Sequence, residues 1–222
     1  MFSIAARADL KADAAREKKP CMVLCVGGDW CVSGEKVRGV YDSAAFRKAL
    51  DGRWLFGVRD ACEAPPPAAV SNENARVKSL DTATSRYPAL ILFNSRGEGV
   101  GRMENIPHNI TAAELVRQVQ ACDAVRAKAE AAFAAGRRGE GFDLLRAQTP
   151  NLFRRERNGT WSATAYADEW KAMRAADPDD REGWALHFTM GDGIGDVAKA
   201  TSLAEKPEEG EAFIAELRRR PM

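Results

Sequence analysis

Residues 19–34, KPCMVLCVGGDWCVSG, decide the fold, because here a buried strand leads through a turn into a helix. Residues 21–26 form an uninterrupted apolar run, the pattern of a strand that is covered on both faces of a parallel or mixed sheet. Pro20 fits the start of such a strand, where the ladder needs no N–H group. The stretch therefore predicts a central strand.

The turn after this strand places a cysteine at the start of a helix. Gly27 and Gly28 break the strand, and apolar residues at helical spacing predict one helix from position 33 or 34 to Leu50. Cys31 then faces unpaired backbone N–H groups and the positive end of the helix dipole, and both favour a thiolate. Trp30, beside it, offers a flat apolar wall for a substrate chain.

A Lys-Pro pair, an apolar strand and a Trp-Cys-x-x motif that opens a helix resemble the active-site segment of the thioredoxin superfamily. The resemblance implies that Cys31 is an attacking thiol in thiol–disulfide exchange. Family members that exchange disulfides carry W-C-x-x-C, whereas this chain has glycine at position 34. The attacking thiol is kept, and the usual resolving cysteine is replaced by Gly34.

A second point of resemblance lies at Tyr87-Pro88, which precedes an apolar strand, a glycine turn and another strand. Thioredoxin-like folds place a cis-proline before that strand, facing the active-site cysteine. The resemblance therefore implies a cis peptide before Pro88, with Tyr87 and Pro88 joining Trp30 as substrate-binding residues. The alternative is an ordinary trans proline at the start of a strand.

The resemblance covers about residues 15–122 and divides the 222-residue chain in two. We expect an α/β thioredoxin-like domain at residues 1–122, with a central mixed sheet flanked by helices, followed by an all-α domain at residues 123–222. A capping box at Thr111 and Glu114 opens a long helix between them. For the first domain, strands are predicted at residues 21–26, 53–60, 86–94 and 99–104, and further helices at residues 2–17 and 72–80.

After Ala124 no strand pattern is evident. Residues 127–136 and 141–149 predict an αα-hairpin that resembles one tetratricopeptide unit, although a complete repeat cannot be traced. A further helix is predicted to start at residues 158–160. Apolar positions supply faces for two or three more helices, namely Trp184, Phe188, Leu203, Phe213, Ile214 and Leu217.

Cys62 is the candidate for the missing second thiol. In this fold the second strand lies parallel and adjacent to the first, so Cys62 and Cys31 emerge at the same edge of the sheet, where catalytic groups collect. We expect the two residues to approach closely enough for a disulfide; the alternative is a loop that keeps Cys62 out of reach. The remaining cysteines, Cys21, Cys25 and Cys122, fit the core as small hydrophobes.

Composition excludes several classes of partner. A net charge of +1 gives no electrostatic reason to expect nucleic acid or a membrane surface, and no apolar run approaches the roughly 20 residues of a membrane span. His108 and His187 are isolated, so no metal or other cofactor is expected. The glycine-rich segment at residues 191–196 lacks the lysine of a phosphate loop and the spaced carboxylates of a calcium loop, which favours a linker.

Two functions remain open. The first is a monothiol redox protein that uses Cys31 on a protein thiol or disulfide. The second is a non-catalytic interaction module that binds a protein partner through the surface around Trp30, Tyr87 and Pro88, or through the helical half. The resemblance implies a bacterial, extracytoplasmic protein, although residues 1–19 are too charged for a secretory signal and a cytoplasmic location is the alternative.

Overall fold

The structure is a computed structural model, and it describes residues 9–84, 86–146, 148, 152–155, 161–163, 165–179, 181 and 215. The chain divides into two compact units, Met1–Ala127 and Lys128–Met222. Of the helix predicted at residues 2–17, residues 2–8 lie outside the described residues, as do His187, the segment at residues 191–196 and the apolar positions from Trp184 onward. Within the described part of the chain, no helix has the length and apolar character needed to cross a bilayer.

The first unit is built on a four-stranded sheet in the order β2-β1-β3-β4. Strand β2 runs parallel to β1, whereas β3 is antiparallel to both β1 and β4. This is the α/β thioredoxin-like fold that the sequence predicts. The elements in chain order are α1 (Leu10–Glu17), β1 (Cys21–Val26), α2 (Val32–Tyr41), α3 (Ala44–Leu50), β2 (Leu55–Asp60), α4 (Ala68–Arg76), β3 (Ala89–Phe93), β4 (Gly99–Glu104) and α5 (Ala112–Ala134).

Strand β1 is buried along its whole length, as its apolar run predicts. Its alternate residues Cys21, Val23 and Cys25 pack in one core cluster with side chains from α1 and β3. On α2, the hydroxyl of Tyr41 donates to the carbonyl oxygens of Met22 and Gly57, 3.2 and 2.9 Å away. These contacts hold β1 and α2 rigidly behind the turn that carries Cys31.

The single helix predicted up to Leu50 is wrong, because the chain turns at Asp42 and Ser43. Helix α2 ends at Tyr41, and Ser43 caps the next helix by accepting the backbone N–H of Phe46 at 3.3 Å. Serine is a favoured N-cap residue, and it satisfies an N–H group that the first turn leaves free. The apolar spacing that continues across the break hides this boundary in the sequence.

Helix α4 also departs from its predicted bounds of residues 72–80. It begins at Ala68, directly after the proline run, and ends at Arg76. The Asn74 side chain pairs with the main chain of Asp60: its Nδ2 donates to the carbonyl at 2.9 Å, and its Oδ1 accepts the N–H at 2.8 Å. The helix is thereby fixed to the last residue of β2.

The described residues of the second unit form helices and one strand pair. Beyond the end of α5 it comprises α6 (Arg138–Arg146), β5 (Phe153–Arg155), β6 (Trp161–Ala163) and α7 (Ala167–Ala176). Strands β5 and β6 are antiparallel, which contradicts the expectation that strands stop after Ala124, and the helix expected from residues 158–160 begins only at Ala167. Three-residue strands are too short to show an alternating pattern, and the Asn158-Gly159 dipeptide, which is also typical of hairpins, was interpreted as the start of a helix.

Candidate functional site

Cys31 lies at the edge of the sheet where β1 and β2 end together. Val26 and Asp60 are register partners, and the N–H of Ala61 donates to the carbonyl of Val26 at 2.8 Å. Cys31 is the N-cap residue of α2: its N–H donates to the carbonyl of Gly27 at 2.7 Å. The residue is partly exposed, and its side chain makes no capping hydrogen bond. The backbone of Cys31 is therefore held by a hydrogen bond, whereas its thiol does not cap the helix.

Gly34 faces Cys31 across the first turn of α2. A Cβ atom added at Gly34 would lie 3.6 Å from the Cβ of Cys31 and 3.3 Å from that of Val26. Disulfides join Cβ atoms about 3.5–4.5 Å apart. Position 34 therefore has the geometry of a resolving cysteine, and its glycine leaves Cys31 without a thiol partner on this turn.

Trp30 forms an apolar surface beside Cys31. Its indole N–H donates to the carbonyl of Ala61 at 2.7 Å, and its ring meets Tyr87 edge to face with 5.3 Å between ring centroids. Although both contacts fix the ring, 45% of Trp30 is exposed, as is 70% of the neighbouring Val32. Tyr87 packs against the core cluster, and the Tyr87–Pro88 peptide is cis. Trp30 and Tyr87 are thus brought together.

Cys62 lies on the other side of the turn, beside α2 and α4. It borders a cavity of about 520 Å³ whose described lining includes Val26, Pro67 and Val70 but not Cys31. Its thiol donates to Oδ1 of Asp60 at 3.3 Å. Both Cys31 and Cys62 are free thiols here, so their disulfide stays a prediction.

Asp60 is a buried carboxylate that links three segments around Cys62. Its Oδ1 also accepts the N–H of Gly28 at 2.8 Å, and its Oδ2 lies 3.4 Å from an Arg38 nitrogen. Only 5% of its side chain is exposed. Desolvation, the hydrogen bond to Asp60 and the negative charges of Asp60 and Asp29 raise the pKa of the Cys62 thiol. A raised pKa leaves less of the nucleophilic thiolate.

Asp29 joins the turn of Cys31 to the segment that follows Cys62. Its carboxylate accepts the N–H groups of Ala64 at 2.7 Å and Glu63 at 3.0 Å, and these bonds hold the pKa of the Asp29 carboxyl below its usual value. Asp29 and Asp60 were not among the residues expected from the sequence. The signal that could have found them is their position, because polar groups directly after parallel strands collect at one sheet edge.

The other three cysteines are buried, as predicted. Burial raises the pKa of both Cys21 and Cys25 to about 12 and also raises that of Cys122. These thiols are therefore poor nucleophiles in the folded protein. Among the described residues, no cluster of His, Cys, Asp or Glu could hold a metal ion.

Comparison with known proteins gives a structural match but no sequence family. No protein-family model matches the chain, and no curated protein matches it either. Six chains of solved structures match. One of them, a DsbH oxidoreductase, is 21% identical with a TM-score of 0.41, and the match covers 55% of this chain and 89% of that one.

Proposed function

We propose that this protein is a thioredoxin-like thiol–disulfide exchange protein with Cys31 as its attacking thiol. The observation that carries the proposal is the position of Cys31, a partly exposed residue at the start of α2, next to the exposed Trp30. A helix N-terminus favours a thiolate, and an apolar wall holds a substrate chain against it. The same arrangement suits a protein disulfide better than a small polar molecule.

The first step is an exchange at one sulfur. The Cys31 thiolate attacks one sulfur of a substrate disulfide, and a bond forms between Cys31 and that half of the substrate. The other half leaves as a thiolate, which takes a proton from water. No electrons are gained or lost overall, because one disulfide replaces another.

The second step needs another thiol, because Gly34 supplies none. If Cys62 attacks the Cys31 sulfur, a Cys31–Cys62 disulfide forms, the substrate leaves as a second thiol, and two electrons have passed from protein to substrate. An external thiol can instead attack the mixed disulfide and release Cys31 unchanged. Non-reducing peptide mapping after mild oxidation detects the Cys31–Cys62 disulfide directly.

We propose a protein as the substrate, with Trp30, Tyr87 and Pro88 in contact with its chain. The exposed apolar area at Trp30 and Val32 favours an apolar residue next to the substrate cysteine. An extracytoplasmic location, where protein disulfides persist, accords with such a substrate. The extracytoplasmic location is supported by the resemblance to the thioredoxin superfamily.

The test is to capture the mixed disulfide. Full-length protein is mixed with a peptide disulfide that has leucine next to its cysteine, and the adduct is located by mass spectrometry of peptides made at acidic pH. We expect the adduct on Cys31, its loss in Cys31→Ser and its retention in the control Cys122→Ser, which alters a buried cysteine. The absence of both an adduct on Cys31 and a Cys31–Cys62 disulfide would contradict the proposal and favour a non-catalytic interaction module.

A further inference from the structure

We propose, on the basis of the function above, that Asp60 is a positioning residue that keeps Cys62 as a protonated hydrogen-bond donor and so restrains it from resolving a disulfide on Cys31. Nothing in the sequence motif assigns a role to Asp60, which lies at the end of β2 and away from the Trp-Cys pair. The contacts of Cys62 and the charges around it carry the inference.

The thiol of Cys62 is in direct contact with Asp60. Cys62 donates to a carboxylate whose side chain is 95% buried, and the same Oδ1 atom accepts the N–H of Gly28. Only a protonated thiol can donate this bond. A thiolate would lie 3.3 Å from an oxygen of this buried carboxylate, and the two negative charges would repel each other.

Other charged groups line the cavity beside Cys62. The cavity beside Cys62 is lined by Asp29 from the turn, Asp60 from β2, Glu35 and Arg38 from α2, and Asp42 directly after α2, whereas Pro67 and Val70 on the α4 side are uncharged. The single guanidinium is shared, since Arg38 also pairs with Glu73 at 2.9 Å and with Asp42 at 3.5 Å. Of these carboxylates, Asp60 and Asp29 raise the pKa of the Cys62 thiol, whereas Asp42 is paired with Arg38 and Arg47. The two carboxylates next to Cys62 therefore disfavour its thiolate.

Asp60 also contacts the turn that precedes Cys31. Gly28 has no room for a side chain, because an added Cβ would lie 2.5 Å from Oδ2 of Asp60. The Oδ1 atom of Asp60 thus binds two groups: the N–H of Gly28, in the turn that precedes Cys31, and the thiol of Cys62. Attack on Cys31 requires the Cys62 sulfur to leave this carboxylate and lose its proton. The mixed disulfide on Cys31 therefore persists until Cys62 is released or an external thiol arrives.

The experiment follows the resolving step with a chromogenic disulfide, 5,5′-dithiobis(2-nitrobenzoate). The Cys31 thiolate takes one thionitrobenzoate group and releases the other; attack by Cys62 then forms the Cys31–Cys62 disulfide and releases the second group, which absorbs visible light. One equivalent of reagent is used, and peptide mapping at acidic pH confirms that the adduct is on Cys31. The rate of the second release is measured from pH 6 to pH 9.

We expect Asp60→Asn to release the second group several-fold faster than the wild type, with its rate profile shifted to lower pH. Asparagine retains an oxygen for Gly28 but removes the charge that opposes the thiolate. Asp42→Asn is the matched control, because it removes a carboxylate from the same cavity without touching Cys62. Cys62→Ser should abolish the second release both in the wild type and in Asp60→Asn. That loss would assign the second release to Cys62.

A second measurement on the wild type covers the case in which Asp60→Asn fails to fold. Alkylation of Cys62 by iodoacetamide at pH 8 should be several-fold slower in the folded protein than in the same protein in urea. Equal rates would overturn the inference, as would an Asp60→Asn variant that is folded but releases no faster. Those two results leave the function of Cys31 intact, whereas a wild type that forms neither an adduct on Cys31 nor a Cys31–Cys62 disulfide would overturn both proposals.

Discussion

Gly34 determines what Cys31 can do alone. Its missing side chain would have placed a Cβ at disulfide distance from that of Cys31, and the tight contact, 3.3 Å to Val26, is one that a small shift relieves. We predict that Gly34→Cys forms a disulfide with Cys31 and gains dithiol reductase activity, measured by insulin reduction. Gly34→Ser is the control, because it fills the same space without a sulfur. A folded Gly34→Cys variant with neither disulfide nor activity would show that the turn does not have the geometry described.

Asp29 gives a pH-dependent signal at the same site. Its bonds to the N–H groups of Ala64 and Glu63 exist only in the folded state and lower the pKa of its carboxyl. They therefore stabilise the fold above the ordinary aspartate pKa, about 3.9, and this contribution is lost as the pH falls through the lower folded value.

We predict that the amide proton shifts of Ala64 and Glu63 titrate together in NMR spectra, with a midpoint below that of an ordinary aspartate. In Asp29→Asn this titration should disappear. A midpoint at or above the ordinary value would contradict the two hydrogen bonds.

At the scale of the elements, the break between α2 and α3 depends on one cap. Ser43 accepts the N–H of Phe46, and its hydroxyl donates to the carbonyl of Val40 at 2.6 Å. We predict that Ser43→Ala lowers the free energy of unfolding by about 1 kcal/mol, the usual cost of losing an N-cap, measured by urea denaturation. Ser71→Ala, at an exposed position inside α4, should change it by less than about 0.5 kcal/mol. Equal effects of the two variants would mean that the cap is not what separates the helices.

Elements with a strong local signal could be predicted from the sequence, and those defined by distant contacts could not. The apolar run gave β1 its bounds, and β4 also lies where it was expected. The break at Ser43 and the β5–β6 pair were missed, because neither interrupts the apolar spacing over a long enough stretch. The bounds of α4 also differ from those predicted. The helix is bound to β2 through hydrogen bonds between the Asn74 side chain and the main chain of Asp60, and no local pattern encodes this contact.

The same distinction holds for the site. Trp30 and Cys31 are adjacent in sequence, and Tyr87 could be added through its proline motif. The contact between Cys62 and Asp60 could not be predicted, because it depends on the direction of a side chain in a loop after β2. Sequence order places Cys62 at the right sheet edge, but only the structure shows the carboxylate that binds it.

At the scale of the whole molecule, the fold divides five cysteines into two kinds. Cys31 and Cys62 lie after the ends of two parallel strands and are partly exposed, whereas the other three are buried in the core. The buried thiols serve packing, and we propose that the thiols at the sheet edge carry the chemistry. Cys31 differs from Cys62 in having no carboxylate bound to its sulfur among the described contacts.

The central claim, that Cys31 is the reacting thiol, is tested most directly by time-resolved labelling of all five cysteines. Native protein is treated with iodoacetamide at pH 7, samples are quenched at intervals, and each cysteine is followed by peptide mass spectrometry. We predict that Cys31 is labelled first, that Cys62 follows several-fold more slowly, and that Cys21, Cys25 and Cys122 are labelled only after unfolding. A Cys31 that is labelled no faster than Cys62 would contradict the account.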